Sequence, residues 1–235
     1  MIFEERGAFP LFRGRYFLTQ YTISRLSNKR IIVSLLMIFF LRPLAEGIRF
    51  LTGDSTLGWM FALNILGSLL IIYDWNLFGI HYNRAKSNKG DFMIFFGLGL
   101  FLIGTWAAVD IRFLGGNIPL PESTLLKNDL FAVPAVFAAF SFLQSTIVNI
   151  GFKCLTDHLK VRSNELLIIF LSGVLFGLVY TIVFLPVQPA LIPRTLLYNI
   201  VLLWILSYLY NQSNSFMPGL CAMTVIYLFL QITLL

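Results

Sequence analysis

Residues 92–109 read FMIFFGLGLFLIGTWAAV, a run without a single ionisable side chain. At about 1.5 Å of rise per residue, such a run crosses nearly all of a hydrocarbon layer about 30 Å thick. Six further apolar blocks have about the length of a span, at about 31–51, 57–80, 130–152, 165–185, 195–211 and 215–235, and 195–211 is the shortest. Their apolar residues lie on all sides of a helix instead of alternating, which excludes the strand pattern of an outer-membrane barrel. Composition agrees, since 58% of the 235 residues are hydrophobic, 12% are charged and the mean hydropathy is +0.82. A soluble domain carries about 25% charged residues, more than this chain has to cover a globule. The expected fold class is all-α, a polytopic transmembrane helical bundle of about seven spans.

The net charge of +6 takes its meaning from position. With the N-terminus inside, the inner segments hold Arg6, Arg13, Arg15, Arg25, Lys29, Arg30, Arg84, Lys86, Lys89, Lys153, Lys160 and Arg162. The outer segments hold only Arg112, Lys127 and Arg194, and the other two basic residues, Arg42 and Arg49, fall within the first span. Twelve against three predicts the N-terminus in the cytoplasm and the C-terminus outside, and the plasma membrane is the expected location. The basic balance is thus a topology signal, and no nucleic-acid partner is expected.

Residues 1–30 read as a cytoplasmic N-terminal segment and 31–235 as a single transmembrane domain without internal repeats. In the first, Phe12, Tyr16, Phe17 and Tyr21 recur at helical spacing between Arg13, Arg15 and Arg25, the pattern of an amphipathic helix on the inner leaflet. No short apolar core precedes a small-residue cleavage site, so a signal peptide is not expected. Membrane lipids are therefore partners. Cys154 and Cys221 cannot build a disulfide framework and sit in no Cys/His cluster, so neither metal nor cofactor is expected. Glycines and prolines in 110–129 and 186–194 mark two outer connections, which take in Asp110 and Arg194.

Polar groups inside a span need partners or a function. Arg42, Glu46 and Arg49 are spaced to share one helical face, near Pro43, as a self-neutralising cluster or as contacts for a partner or lipid headgroup. Asp74 is expected alone at the inner interface, with His81 in the loop after it. Small residues at Gly97, Gly99, Gly104, Ala135, Ala138 and Ala139 offer close helix contact.

Three stretches are more ordered: FAAFSFLQSTIVNIGFKCLTDHL over 137–159, SGVLFGLVYT over 172–181 and NSFMPGLCAMTVIYLFLQ over 214–231. Together they resemble the CPBP family, the CAAX-processing and bacteriocin-related membrane proteins, whose signatures are EExxFRG, FxxxH and a late HxxxN. Val148, Asn149, Phe152 and Lys153 stand where the two Glu, the Phe and the Arg would be. Phe176 and Tyr180 stand at FxxxH, Ser215 and Pro218 at the turn and span entry, and Met223 and Tyr227 at HxxxN. The resemblance covers about 137–233. It implies a CPBP-like bundle in the C-terminal half and a cavity lined by Val148, Asn149, Lys153, Phe176, Tyr180, Met223 and Tyr227.

In that family a Glu is thought to act as general base on water, with His, while Asn and a second His hold the developing oxyanion. Here Val148 and Asn149 have no basicity, Tyr180 is a poor base at neutral pH, and Met223 cannot donate a hydrogen bond. The resemblance therefore implies a catalytically degenerate member with no catalytic residue. Its expected role is a scaffold or binding subunit for a membrane or envelope partner, a hydrophobic peptide or a lipid. The alternatives are an active CPBP-type peptidase with unidentified catalytic residues, or a small transporter. The lack of an inverted repeat and the scarcity of charge in the later spans stand against transport. The resemblance further implies that Asn149, Tyr180, Met223 and Tyr227 converge, with Asn149 bonded to Tyr180 or water and Lys153 reaching toward the inner surface.

The charge asymmetry gives a first prediction. Reporter fusions after Gly90 and after Leu235 should report cytoplasm and exterior respectively, and finding both on one side would remove the odd number of crossings between them.

Overall fold

The computed structural model describes residues 28–113, 132–159, 164–183 and 189–233, and every regular element among them is helical. In order these are α1 (Asn28–Thr52), α2 (Ser55–Tyr73), α3 (Trp75–Ser87), α4 (Lys89–Phe113), α5 (Ala132–Leu159), α6 (Glu165–Val183), a single 3-10 turn (Pro189–Leu191), α7 (Ile192–Ser213) and α8 (Met217–Thr233). Five of them, α1, α4, α5, α6 and α7, are long and apolar enough to cross a membrane, and α2 with α3 makes a sixth if the bent pair is one span. Helix α8 is also apolar but has 17 residues. At about 1.5 Å per residue it falls a little short of the hydrocarbon thickness. The chain is thus an all-helical bundle of the integral-membrane kind. The amphipathic helix expected before residue 28, residues 114–129 of the first long connection and 186–188 of the second lie outside the described residues.

The 57–80 block departs from expectation. It is broken at Asp74, after which α3 turns away from α2 by 75°. The cause is local. The Asp74 carboxylate is bound by Arg30 of α1 (Nε to Oδ1, 2.9 Å) and by the Ser34 hydroxyl (2.9 Å), which ties the chain down where α2 ends. The α3 sequence, WNLFGIHYNRAKS, is amphipathic: Leu77 and His81 are buried, Trp75 and Tyr82 exposed. His81 therefore lies in a helix, not in a loop, and Asp74 is not a lone interfacial carboxylate. The 195–211 block extends to 192–213 because Pro193 suits a first helical turn, and α8 is the shorter helix.

Helix α5 is the centre. It touches α1, α2, α6, α7 and α8, and every residue from 143 to 154 is buried. Around it the other helices pair closely. At the α1–α2 hairpin Gly53 adopts φ 75° and donates its N–H to the Arg49 carbonyl (2.8 Å), and the Asp54 carboxylate caps α2 at the Leu57 N–H (3.2 Å). Between α6 and α7 the contact runs over Gly173 and Gly177, four apart. A methyl group at Gly177 would stand 2.9 Å from the Ile200 Cα, and one at Gly173 would overlap the Trp204 ring. The small residues expected to serve this purpose do so unevenly. Gly99 presses on Ala222 and Gly104 approaches Ile226, but Gly97 faces open space and Ala135 and Ala139 are exposed. Outward-facing Phe50, Leu51, Ile72, Phe113 and Leu166 give the bundle the apolar exterior that suits lipid.

Gly177→Ala forces the α6 and α7 backbones apart and should destabilise the protein by about 1–3 kcal/mol, the usual cost of overpacking. Thermal melts in detergent check this, with Gly97→Ala expected to leave the midpoint unchanged.

Candidate functional site

The site is built on the polar residues of α5. Ser141, Gln144, Ser145, Asn149, Lys153 and Asp157 recur at three- and four-residue spacing, so they form a stripe winding along the helix. Near one end Ser141 donates to the Gln231 side-chain oxygen on α8 (2.9 Å). The Gln144 amide donates to the Tyr180 hydroxyl on α6 (3.0 Å). The Asn149 amide donates to the Ser145 carbonyl (2.7 Å) and points at the Met223 sulfur on α8 (3.9 Å). At the other end Lys153 pairs with Asp157, whose second oxygen accepts from the Tyr210 hydroxyl on α7 (2.6 Å). The Lys153 ammonium also lies 5.6 Å from the centre of the Tyr210 ring.

All seven motif-derived positions, Val148, Asn149, Lys153, Phe176, Tyr180, Met223 and Tyr227, are buried, on α5, α6 and α8. Phe176 lies over Gly151, where no side chain stands in its way, and its ring is 6.5 Å from that of Tyr180. Tyr227 brings its phenol near those of Tyr198 and Tyr180. The polar contacts differ from expectation in two ways. Tyr180 is taken by Gln144 instead of Asn149, whose amide bonds back one turn along its own helix. Lys153 does not reach a surface: its side chain is 1% exposed, because Asp157 one turn on supplies the countercharge inside the bundle.

An amide, three phenols and a thioether can bind and orient, but none is a base at neutral pH. The buried aspartates are committed elsewhere: Asp74 to Arg30, and Asp110 of α4 to Arg194 of α7 through both carboxylate oxygens (3.2 and 2.9 Å). Among the described residues no three His, Cys, Asp or Glu side chains gather as a metal site would need. Compared with family models, curated proteins and solved structures, the chain matches none.

Arg42, Glu46 and Arg49 stand apart from this site on α1. Arg49 pairs with Glu46 (3.2 Å) at an exposed position, and Arg42 is half-buried. Two clusters were missed by sequence reasoning. Asp110 and Arg194, assigned to outer connections, are helical and paired. An aspartate closing an apolar run asks for a cation, and that signal was present in the sequence. The second is a clamp between α3 and the α7–α8 turn. Arg84 donates to the Asn214 carbonyl (3.0 Å), Ser215 donates to the His81 carbonyl (3.1 Å), and the Phe216 ring sits 4.4 Å from His81 and 5.3 Å from Phe78. Asn214 closes α7 in the left-handed conformation at φ 51°, which asparagine tolerates.

Asp157→Ala leaves the Lys153 ammonium buried without its counterion and should destabilise by about 3–5 kcal/mol. Adding Lys153→Met should restore most of the loss, which a double-mutant comparison of melting midpoints measures.

Proposed function

We propose that this protein is a non-catalytic, CPBP-like integral membrane protein that works by binding, as a scaffold or subunit for a membrane or envelope partner, a hydrophobic peptide or a lipid. One observation carries the reading. At the positions where the resembled family keeps its Glu and His, this chain has Val148, Asn149, Tyr180 and Met223, all buried, with Asn149 in contact with Met223. None of these four side chains is a general base at neutral pH, and a thioether in contact with Asn149 stands in the place of an imidazole. The chain would sit in the plasma membrane with its N-terminus in the cytoplasm, which the basic end of the bundle supports: Arg30, Arg84 and Lys153 share it with the start of α4 and the α7–α8 turn.

A transport reading has one observation in its favour. The Gln144 and Asn149 side-chain oxygens and the Gln231 amide nitrogen are buried with no protein hydrogen-bond partner among the described residues, so the stripe on α5 has polar atoms to offer a small polar solute.

Purified and reconstituted in proteoliposomes, the protein should leave prenylated and other hydrophobic peptides intact over the rate of empty vesicles, and should accumulate no solute. Saturable peptide binding without turnover supports the binding reading. Cleavage abolished by Asn149→Ala or Tyr180→Phe contradicts it, and solute uptake abolished by Gln144→Leu favours transport instead.

A further inference from the structure

Between α3, α4 and α8 lies an apolar groove of about 400 Å³, open on one side and lined by Phe92 and Met93 of α4, Cys221 of α8, and Tyr82, Lys86 and Lys89. We propose that this groove holds one anionic phospholipid, its acyl chain against Phe92, Met93 and Cys221 and its phosphate between Lys86 and Lys89. The site is separate from the polar stripe on α5 and does not depend on what that stripe binds.

Charge complementarity selects the occupant. Lys86 and Lys89 are exposed, and neither takes part in an ion pair among the described residues. The neighbouring Arg84 donates to the Asn214 carbonyl, and Asp91, in the first turn of α4, is not among the groove's lining residues. The charged groups of the groove itself are therefore both cationic. Their level in the bundle also fits. Helix α3 turns by 75° from α2, and the apolar run of α4 begins at Phe92, three residues past Lys89. The lysines thus stand where hydrocarbon gives way to headgroups, and the rest of the groove runs onto the exposed apolar side chains Met93 and Ile94. Tyr82, 58% exposed at the rim, carries a hydroxyl that can donate to a phosphate oxygen. A zwitterionic lipid would bring its own cation against two lysines, and a soluble phosphate has nothing to cover the apolar wall.

Native mass spectrometry of the detergent-purified protein, titrated with phosphatidylglycerol or with phosphatidylcholine of the same acyl chains, tests this. The expected result is a single retained phosphatidylglycerol with much weaker retention of phosphatidylcholine. Each lysine near an anionic headgroup contributes about fivefold, so Lys86→Gln with Lys89→Gln should weaken retention about thirtyfold, and Lys29→Gln should not weaken it. Cys221→Trp fills the groove with both charges intact and should abolish the adduct. Met93→Trp does the same from the α4 side should the first variant fail to fold. Equal retention of the two lipids overturns the proposal. So does loss of the adduct in the lysine variant but not in the folded tryptophan variants, which would mean surface attraction alone, or displacement by soluble glycerophosphate. A photo-crosslinker at Tyr82 separates the remaining occupants: a lipid adduct supports the site, and an adduct to another segment of this chain or to a second protein overturns it.

Discussion

A helix that carries Ser141, Gln144, Asn149, Lys153 and Asp157 cannot turn those residues to lipid, where each unpaired polar group costs several kcal/mol. The arrangement of the bundle is a consequence of that constraint. Helix α5 takes the centre, and α6, α7 and α8 each bring it a polar partner: Tyr180, Tyr210 and Gln231. The same rule recurs away from the centre, with Asp74 drawing in Arg30 and Ser34 and Asp110 drawing in Arg194. Hydrophobic burial has little power to order helices already surrounded by hydrocarbon. Close backbone approach at Gly177 and interhelical hydrogen bonds such as Ser172 to Ser207 (3.3 Å) therefore supply the specificity between α6 and α7.

The two ends of the bundle are built differently. Near Asp110 the pair with Arg194 joins α4 to α7, assisted by the Trp106 indole donating to the Tyr198 carbonyl (3.1 Å). At the other end two ion pairs, Arg30 with Asp74 and Lys153 with Asp157, lie within the bundle. Two arginines there also close helix C-termini, Arg30 on the Tyr73 carbonyl (2.7 Å) and Arg84 at Asn214, where a cation suits the helix dipole. Basic residues at this end thus hold the structure together as well as carrying the sequence signal for sidedness. Lys86 and Lys89 are exceptions, with no such contact among the described residues.

Length and apolarity made the spans legible, since a run such as 92–109 has no other stable setting, and the burial of Val148, Phe176 and Met223 accords with the same composition. What could not be read was the choice of partners. Asp74 looked solitary because Arg30 and Ser34 are forty or more residues away in sequence, and nothing local announces the pairing. The bend at Asp74 was hidden because Trp75, Leu77, Phe78 and Ile80 extend the apolar count past the true end of α2. Gln144 and Asn149 lie within two turns of each other, and which of them meets Tyr180 depends on the relative height of α5 and α6, which no sequence spacing encodes.

The account stands on α5 and α8 facing each other at the motif-derived positions. With Cys154 and Cys221 replaced by Ala, the paired variant Asn149→Cys with Met223→Cys should be joined by a short bifunctional thiol crosslinker in native membranes, as the contact between the Asn149 and Met223 side chains requires, whereas Ala139→Cys with Phe229→Cys, at exposed positions on the same two helices, should not. The reverse pattern would contradict the central placement of the polar face of α5.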